Sequence, residues 1–142
     1  MAIELNIPFF KTVPGILKLV ECTLTLIVLL IARFGGIDGN SIAWRTQDIL
    51  YLGIGASVGY AIIIPALILD YILGASSTTL EYIITLLGGV LFISTGASMV
   101  DENDEMELVV ACLSIVLGVL FLIDFVYRCT KNRQNLLIFS HV

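Results

Sequence analysis

Residues 16–32 read ILKLVECTLTLIVLLIA, and the placement of Lys18 and Glu21 within that stretch decides what kind of molecule the chain makes. The uninterrupted apolar part, Cys22 to Ala32, is 11 residues long, about 16 Å of helix. The hydrocarbon core of a bilayer is about 30 Å thick and takes roughly 20 residues to cross. The stretch crosses only if it draws Lys18 and Glu21 in with it. Glu21 stands 12 residues before Arg33, about 18 Å from that end of the helix, and so lies well inside the core. Lys18, Glu21, Cys22 and Thr25 follow helical spacing, which predicts one polar face turned toward other helices. A cleaved signal peptide is the competing reading of an early apolar stretch. The two charges interrupt it and no small-x-small cleavage site follows, so a retained helix is expected.

The rest of the chain has the same character. Of its 142 residues 58% are hydrophobic and 13% charged, with a mean hydropathy of +1.04. Soluble domains carry about a quarter charged residues. This much apolar sequence cannot be buried inside a globule of this length and needs lipid as its solvent. Three more stretches are long enough to cross: Ile49–Leu73, with Pro65 expected to kink it, Leu80–Val100 and Leu108–Tyr127. The expected fold is all-α, a single domain over residues 1–142. It is a polytopic four-helix transmembrane bundle with helices at about 14–33, 49–73, 80–100 and 107–127, both termini cytoplasmic, and a short cytoplasmic tail over 128–142.

Orientation follows from lysine and arginine. With both ends inside, Lys11, Lys18, Arg128, Lys131 and Arg133 face the cytoplasm and only Arg33 and Arg45 face out. The acidic connection DENDEME, residues 101–107, is then an outside loop entering the fourth helix. Acidic residues suit a helix N-terminus, where the macrodipole is positive. Asp101, Asn103 and Glu105 also mimic positions 1, 3 and 5 of an EF-hand, but the glycine at position 6 and the closing glutamate are missing.

The same topology gathers charge in the cytoplasmic half. Asp70 closes the second span, Glu81 opens the third, and Asp124 lies near the end of the fourth with Arg128 four residues on. With Lys18 and Glu21 they form an expected intramembrane polar cluster. Its two readings are a paired set that fixes helix packing and a pathway for protons or substrate. Small residues supply the packing signal. Gly55 and Gly59 form GxxxG, on a face that continues through Ala56, Ile63, Ala66 and Asp70. Gly88, Gly89 and Gly96 thin the third helix, and Ser114 and Gly118 the fourth. Lipid provides no hydrophobic drive between helices, so close backbone approach at such residues must hold them, here expected within the monomer.

The three cysteines, Cys22, Cys112 and Cys129, fall in or just after apolar runs, so neither a disulfide framework nor a metal spacing is readable. Cys129, beside basic residues at the inner face, suits S-palmitoylation or stays a free thiol. The ending Ser140, His141, Val142 fits a PDZ-domain ligand, captured by strand addition. His141 is the single histidine, and no nucleophile–base pair stands out, so no enzyme activity and no cofactor are expected. The net charge is −5 and there is no basic block, so no nucleic-acid partner is expected.

PGILKLVECTLTLIVLLIARFGG (14–36), TTLEYIITLLGGVLFISTGA (78–97) and ACLSIVLGVLFLIDF (111–125) together resemble the MARVEL-type four-transmembrane proteins. The pattern is similar to that of the insect Snakeskin-like group of smooth septate junction proteins. The resemblance lies in helix order, glycine placement and the late Asp124. It implies cytoplasmic termini, no enzyme activity, and a role in membrane apposition, cell junctions or vesicle traffic. The first outside loop, RFGGIDGNSIAWRTQD (33–48), lacks the claudin W-GLW-C-C pattern, and the chain lacks tetraspanin cysteines. The expected function is therefore organisation of membrane contacts or junctions at the plasma membrane. Its expected partners are the lipid bilayer, other membrane proteins, a PDZ-domain protein and a second copy of the chain. The alternatives are an accessory subunit of a channel, receptor or pump, and a small proton-coupled transporter with Glu21 as its coupling acid.

Overall fold

The computed structural model describes residues 12–34, 47–73, 79–100 and 105–139. Residues 35–46 of the connection expected to be the first outside loop (33–48), Asp101 and Asn103 of the EF-hand-like stretch, and the Ser140, His141, Val142 ending lie outside them. Among the described residues the chain forms four helices: α1 (Val13–Phe34), α2 (Gln47–Ile72), α3 (Thr79–Met99) and α4 (Glu105–Phe139). All four are long and apolar enough to cross a membrane. Each packs against its chain neighbour and α1 closes the ring on α4, with α3–α4 the most extensive contact.

Local chemistry sets the ends. The Gly15 amide donates to Thr12 Oγ1 at 3.3 Å, which caps α1. Pro14 sits in the first turn, where its missing N–H costs nothing. α2 runs unbroken as helix across Pro65. α4 continues as helix through Arg128 to Phe139, into the stretch expected as a tail, because no Gly or Pro interrupts it. Its 35 residues make a rod of about 52 Å, longer than the bilayer core. The part apolar enough to span is Glu107–Lys131, so the last turns project beyond it.

The distribution of side chains is inverted relative to a water-soluble bundle. Leu30, Ile62, Leu69, Leu80, Val90 and Val126 are among the exposed residues, while Lys18, Glu21, Thr25, Ser57, Glu81, Thr85, Ser114, Asp124 and Arg128 are buried. An apolar exterior of this extent is stable only against lipid, so the chain is a multi-pass integral membrane protein. Its backbone polar groups are met within the helices, as lipid requires.

Two features organise the interior. Along α3 and α4, Tyr82 meets Phe125 edge to face. A Cβ added to Gly89 would stand 3.2 Å from the Gly118 carbonyl oxygen, and one added to Gly96 would stand 2.7 Å from that of Ala111. The contacts climb α3 at 82, 89 and 96 while descending α4 at 125, 118 and 111. This antiparallel seven-residue step is the period of left-handed supercoiled packing. At mid-bundle, Tyr60 of α2 packs edge-on to Phe92 and Phe121, which stack on each other with centroids 5.7 Å apart. Gly88 makes room for it, since a Cβ there would lie 2.8 Å from Tyr60 Cε1.

Candidate functional site

Directly beside the aromatic cluster, toward the end of the bundle where α1 and α3 begin, five ionisable side chains come together. Lys18 of α1 lies 2.8 Å from Glu21 Oε2 and 2.8 Å from Asp124 Oδ2. Arg128 Nε lies 2.9 Å from Asp124 Oδ1, and its Nη1 lies 2.8 Å from Glu81 Oε1. Asp124 thus has one oxygen on each cation and links α1 to α4. Arg128 carries the link on to α3. The set is almost fully enclosed: Lys18 is 1% exposed, Glu21 and Asp124 0%, Glu81 2% and Arg128 6%. Helical spacing makes this possible, with Lys18–Glu21 three residues apart and Asp124–Arg128 four apart, each on one face.

Neutral groups complete the shell. Lys18 donates to Thr85 Oγ1 at 3.4 Å and stands 5.6 Å from the centre of the Phe121 ring, a cation–π distance. Tyr71 of α2 donates a short hydrogen bond to Glu81 Oε2 and accepts one from Arg128 Nη1 at 2.6 Å. All four helices therefore contribute to one polar network. Glu81 Oε1 and Asp124 Oδ2 are in ion contact with a cation but off the hydrogen-bond direction. Glu21 Oε1 and Arg128 Nη2 are buried with no hydrogen-bond partner.

The structure brings together Lys18, Glu21, Glu81, Asp124 and Arg128 and leaves Asp70 out. Asp70 is exposed, because α2 buries the face carrying Gly53, Ser57, Tyr60, Ile64 and Ile68. Tyr71 is the α2 residue that reaches the cluster. The 11-residue step from Tyr60 to Tyr71, three helical turns, is the signal that could have found it. Thr85 and Phe121 were likewise missed, since neither is ionisable.

The same rotation of α2 corrects the packing role expected for Gly55 and Gly59. A Cβ at either glycine would meet nothing within 4 Å. They line a lipid-side groove of about 330 Å³ with Tyr51, Leu52, Ala56, Ile63 and Leu91. Gly88, Gly89, Gly96 and Gly118 are the glycines in close contact, and Ser114 is buried with them. Cys112 and Cys129 are exposed free thiols, and Cys22 is half-buried. Among the described residues no group of His, Cys, Asp and Glu is arranged to hold a metal ion.

No protein-family model, no curated protein and no solved structure matches the chain.

Proposed function

We propose that this protein is a non-enzymatic membrane organiser that holds membrane contacts or cell junctions together by binding other membrane proteins. In this reading it acts as the MARVEL-type and Snakeskin-like proteins do, at the plasma membrane with both termini in the cytoplasm. The observation that carries the reading is the open face of α2. Glycine inside a helix costs up to about 1 kcal/mol relative to alanine. Gly88, Gly89, Gly96 and Gly118 offset that cost by admitting a neighbour, but Gly55 and Gly59 admit nothing within the monomer. Their smallness is useful only to a helix that approaches from outside, since small faces are how helices meet in lipid. The charge cluster supports the same reading, because its cations are each shared between two carboxylates and tie the helices to one another.

An accessory subunit of a channel, receptor or pump would use the same face, and the identity of the captured partner separates the two. The test is proximity labelling in cells with wild type and Gly59→Leu at equal surface level. The expected result is a set of labelled membrane proteins that Gly59→Leu loses while its own melting midpoint is not lowered. An identical labelled set from both forms removes the case for α2 as the contact face. For the transporter alternative, proton-driven uptake of cationic substrates into liposomes that Glu21→Gln abolishes would replace the organiser reading.

A further inference from the structure

The charge cluster does not balance. Lys18 and Arg128 supply two cations, and Glu21, Glu81 and Asp124 supply three carboxylates, all buried. A net charge enclosed by helices and lipid is strongly unfavourable unless it is neutralised. The three carboxylates are not equally supported. Asp124 has a cation within 2.9 Å of each oxygen. Glu81 has Arg128 on one oxygen and the Tyr71 hydroxyl on the other. Glu21 has Lys18 on Oε2, in competition with Asp124, and nothing on Oε1.

We propose that the cluster binds one proton, held on the Glu21 carboxyl, so that the five ionisable side chains are together neutral inside the bilayer. The groups facing Glu21 favour this site from every helix. On α1, Lys18 already shares its charge with Asp124. On α2, Tyr60 is within electrostatic reach but donates its hydroxyl hydrogen bond to the Ile84 carbonyl at 2.7 Å, and Tyr71 donates its hydrogen bond to Glu81. On α3, Thr85 takes a hydrogen bond from Lys18, and Glu81 is held by Arg128. On α4, Asp124 adds a second negative charge, and Arg128 is committed to Asp124 and Glu81. The proton comes from water at the nearer membrane face. It leaves Lys18–Asp124 and Arg128–Glu81 as two matched pairs. An unpartnered buried hydroxyl at Oε1 is far less costly than an unpartnered buried carboxylate oxygen. The assignment does not depend on what α2 contacts, so it stands or falls separately from the organiser reading.

The test is infrared spectroscopy of the full chain in liposomes at neutral pH, with Glu21→Gln as the isosteric neutral form. The wild type is expected to show the carbonyl stretch of a protonated carboxyl, shifted down in deuterium oxide, and Glu21→Gln to lose that band. Because Gln copies the proposed state, the variant is also expected to fold with an unchanged melting midpoint. The proposal is overturned if the wild type lacks the band, if the band survives in Glu21→Gln, or if that variant misfolds or melts below the wild type.

Discussion

Asp124 is in contact with both buried cations, one on each oxygen, and its consequences can be measured. Replacing it by asparagine keeps the shape but leaves Lys18 and Arg128 in the membrane without their shared carboxylate. Glu21 stays on Lys18 and Glu81 on Arg128, so Asp124→Asn should cost less than the about 3–5 kcal/mol of a buried charge left wholly unpaired. It removes the link between α1 and α4, however, and should still lower the denaturant concentration at which the bundle unfolds in detergent. Asp70→Asn, on the exposed face of α2, should leave that midpoint where it was. Equal effects of the two substitutions would show that burial in this cluster is not what holds the helices. Five of the six ionisable residues that the sequence singles out do meet, because charge inside an apolar run has nowhere to go but another charge. The sixth shows the limit of that argument. Asp70 and Tyr71 are neighbours, a rotation of about 100° apart on the helix, and hydropathy alone does not say which of the two faces inward. The inward stripe Tyr60–Ile64–Ile68–Tyr71 does, but only once Gly88 of α3 is known to lie opposite Tyr60.

At the scale of the helix, glycines divide by what their missing Cβ would touch. Gly96 faces the Ala111 carbonyl oxygen and Gly118 faces the Gly89 carbonyl oxygen, both backbone atoms that cannot swing away. Alanine at either position must push α3 and α4 apart, and overpacking of this kind costs about 1–3 kcal/mol. Gly59→Ala meets open space and should instead gain up to about 1 kcal/mol of helix propensity. The comparison can be made by unfolding the three variants side by side in the same detergent or bicelle. If Gly59→Ala is the most damaging, α2 packs by its small face after all and the groove is closed in the membrane. The sequence marks all these glycines as packing residues, and for α3 and α4 the seven-residue steps 82–89–96 and 111–118–125 were already present. What it could not show is that Gly55 and Gly59 of α2 face outward, since a small face serves a partner within the bundle and one outside it equally well.

For the whole molecule, four spans and an all-α bundle follow from run lengths, because lipid leaves a helix no alternative means of satisfying its backbone. Which way the bundle stands is a separate question, decided by charges at its ends. α1 begins and α4 ends on the side of the buried cluster, and there Lys131 is exposed at the end of the spanning part of α4 and Arg133 just beyond it. Lysine and arginine are retained on the cytoplasmic side during insertion, whereas acidic residues weigh little. The acidic stretch 101–107, which leads into α4 at the opposite end, should therefore lie outside the cell. An N-x-S/T acceptor placed in a lengthened version of that stretch is expected to be glycosylated in cells, while the same acceptor appended after residue 142 is not. The two sites sit at opposite ends of α4, so a spanning helix permits one of them and forbids the other. Glycosylation at the appended site, with none at 101–107, would invert the bundle and put the Lys18–Asp124–Arg128 network in the outer half of the membrane. Any proton on Glu21 would then come from outside the cell.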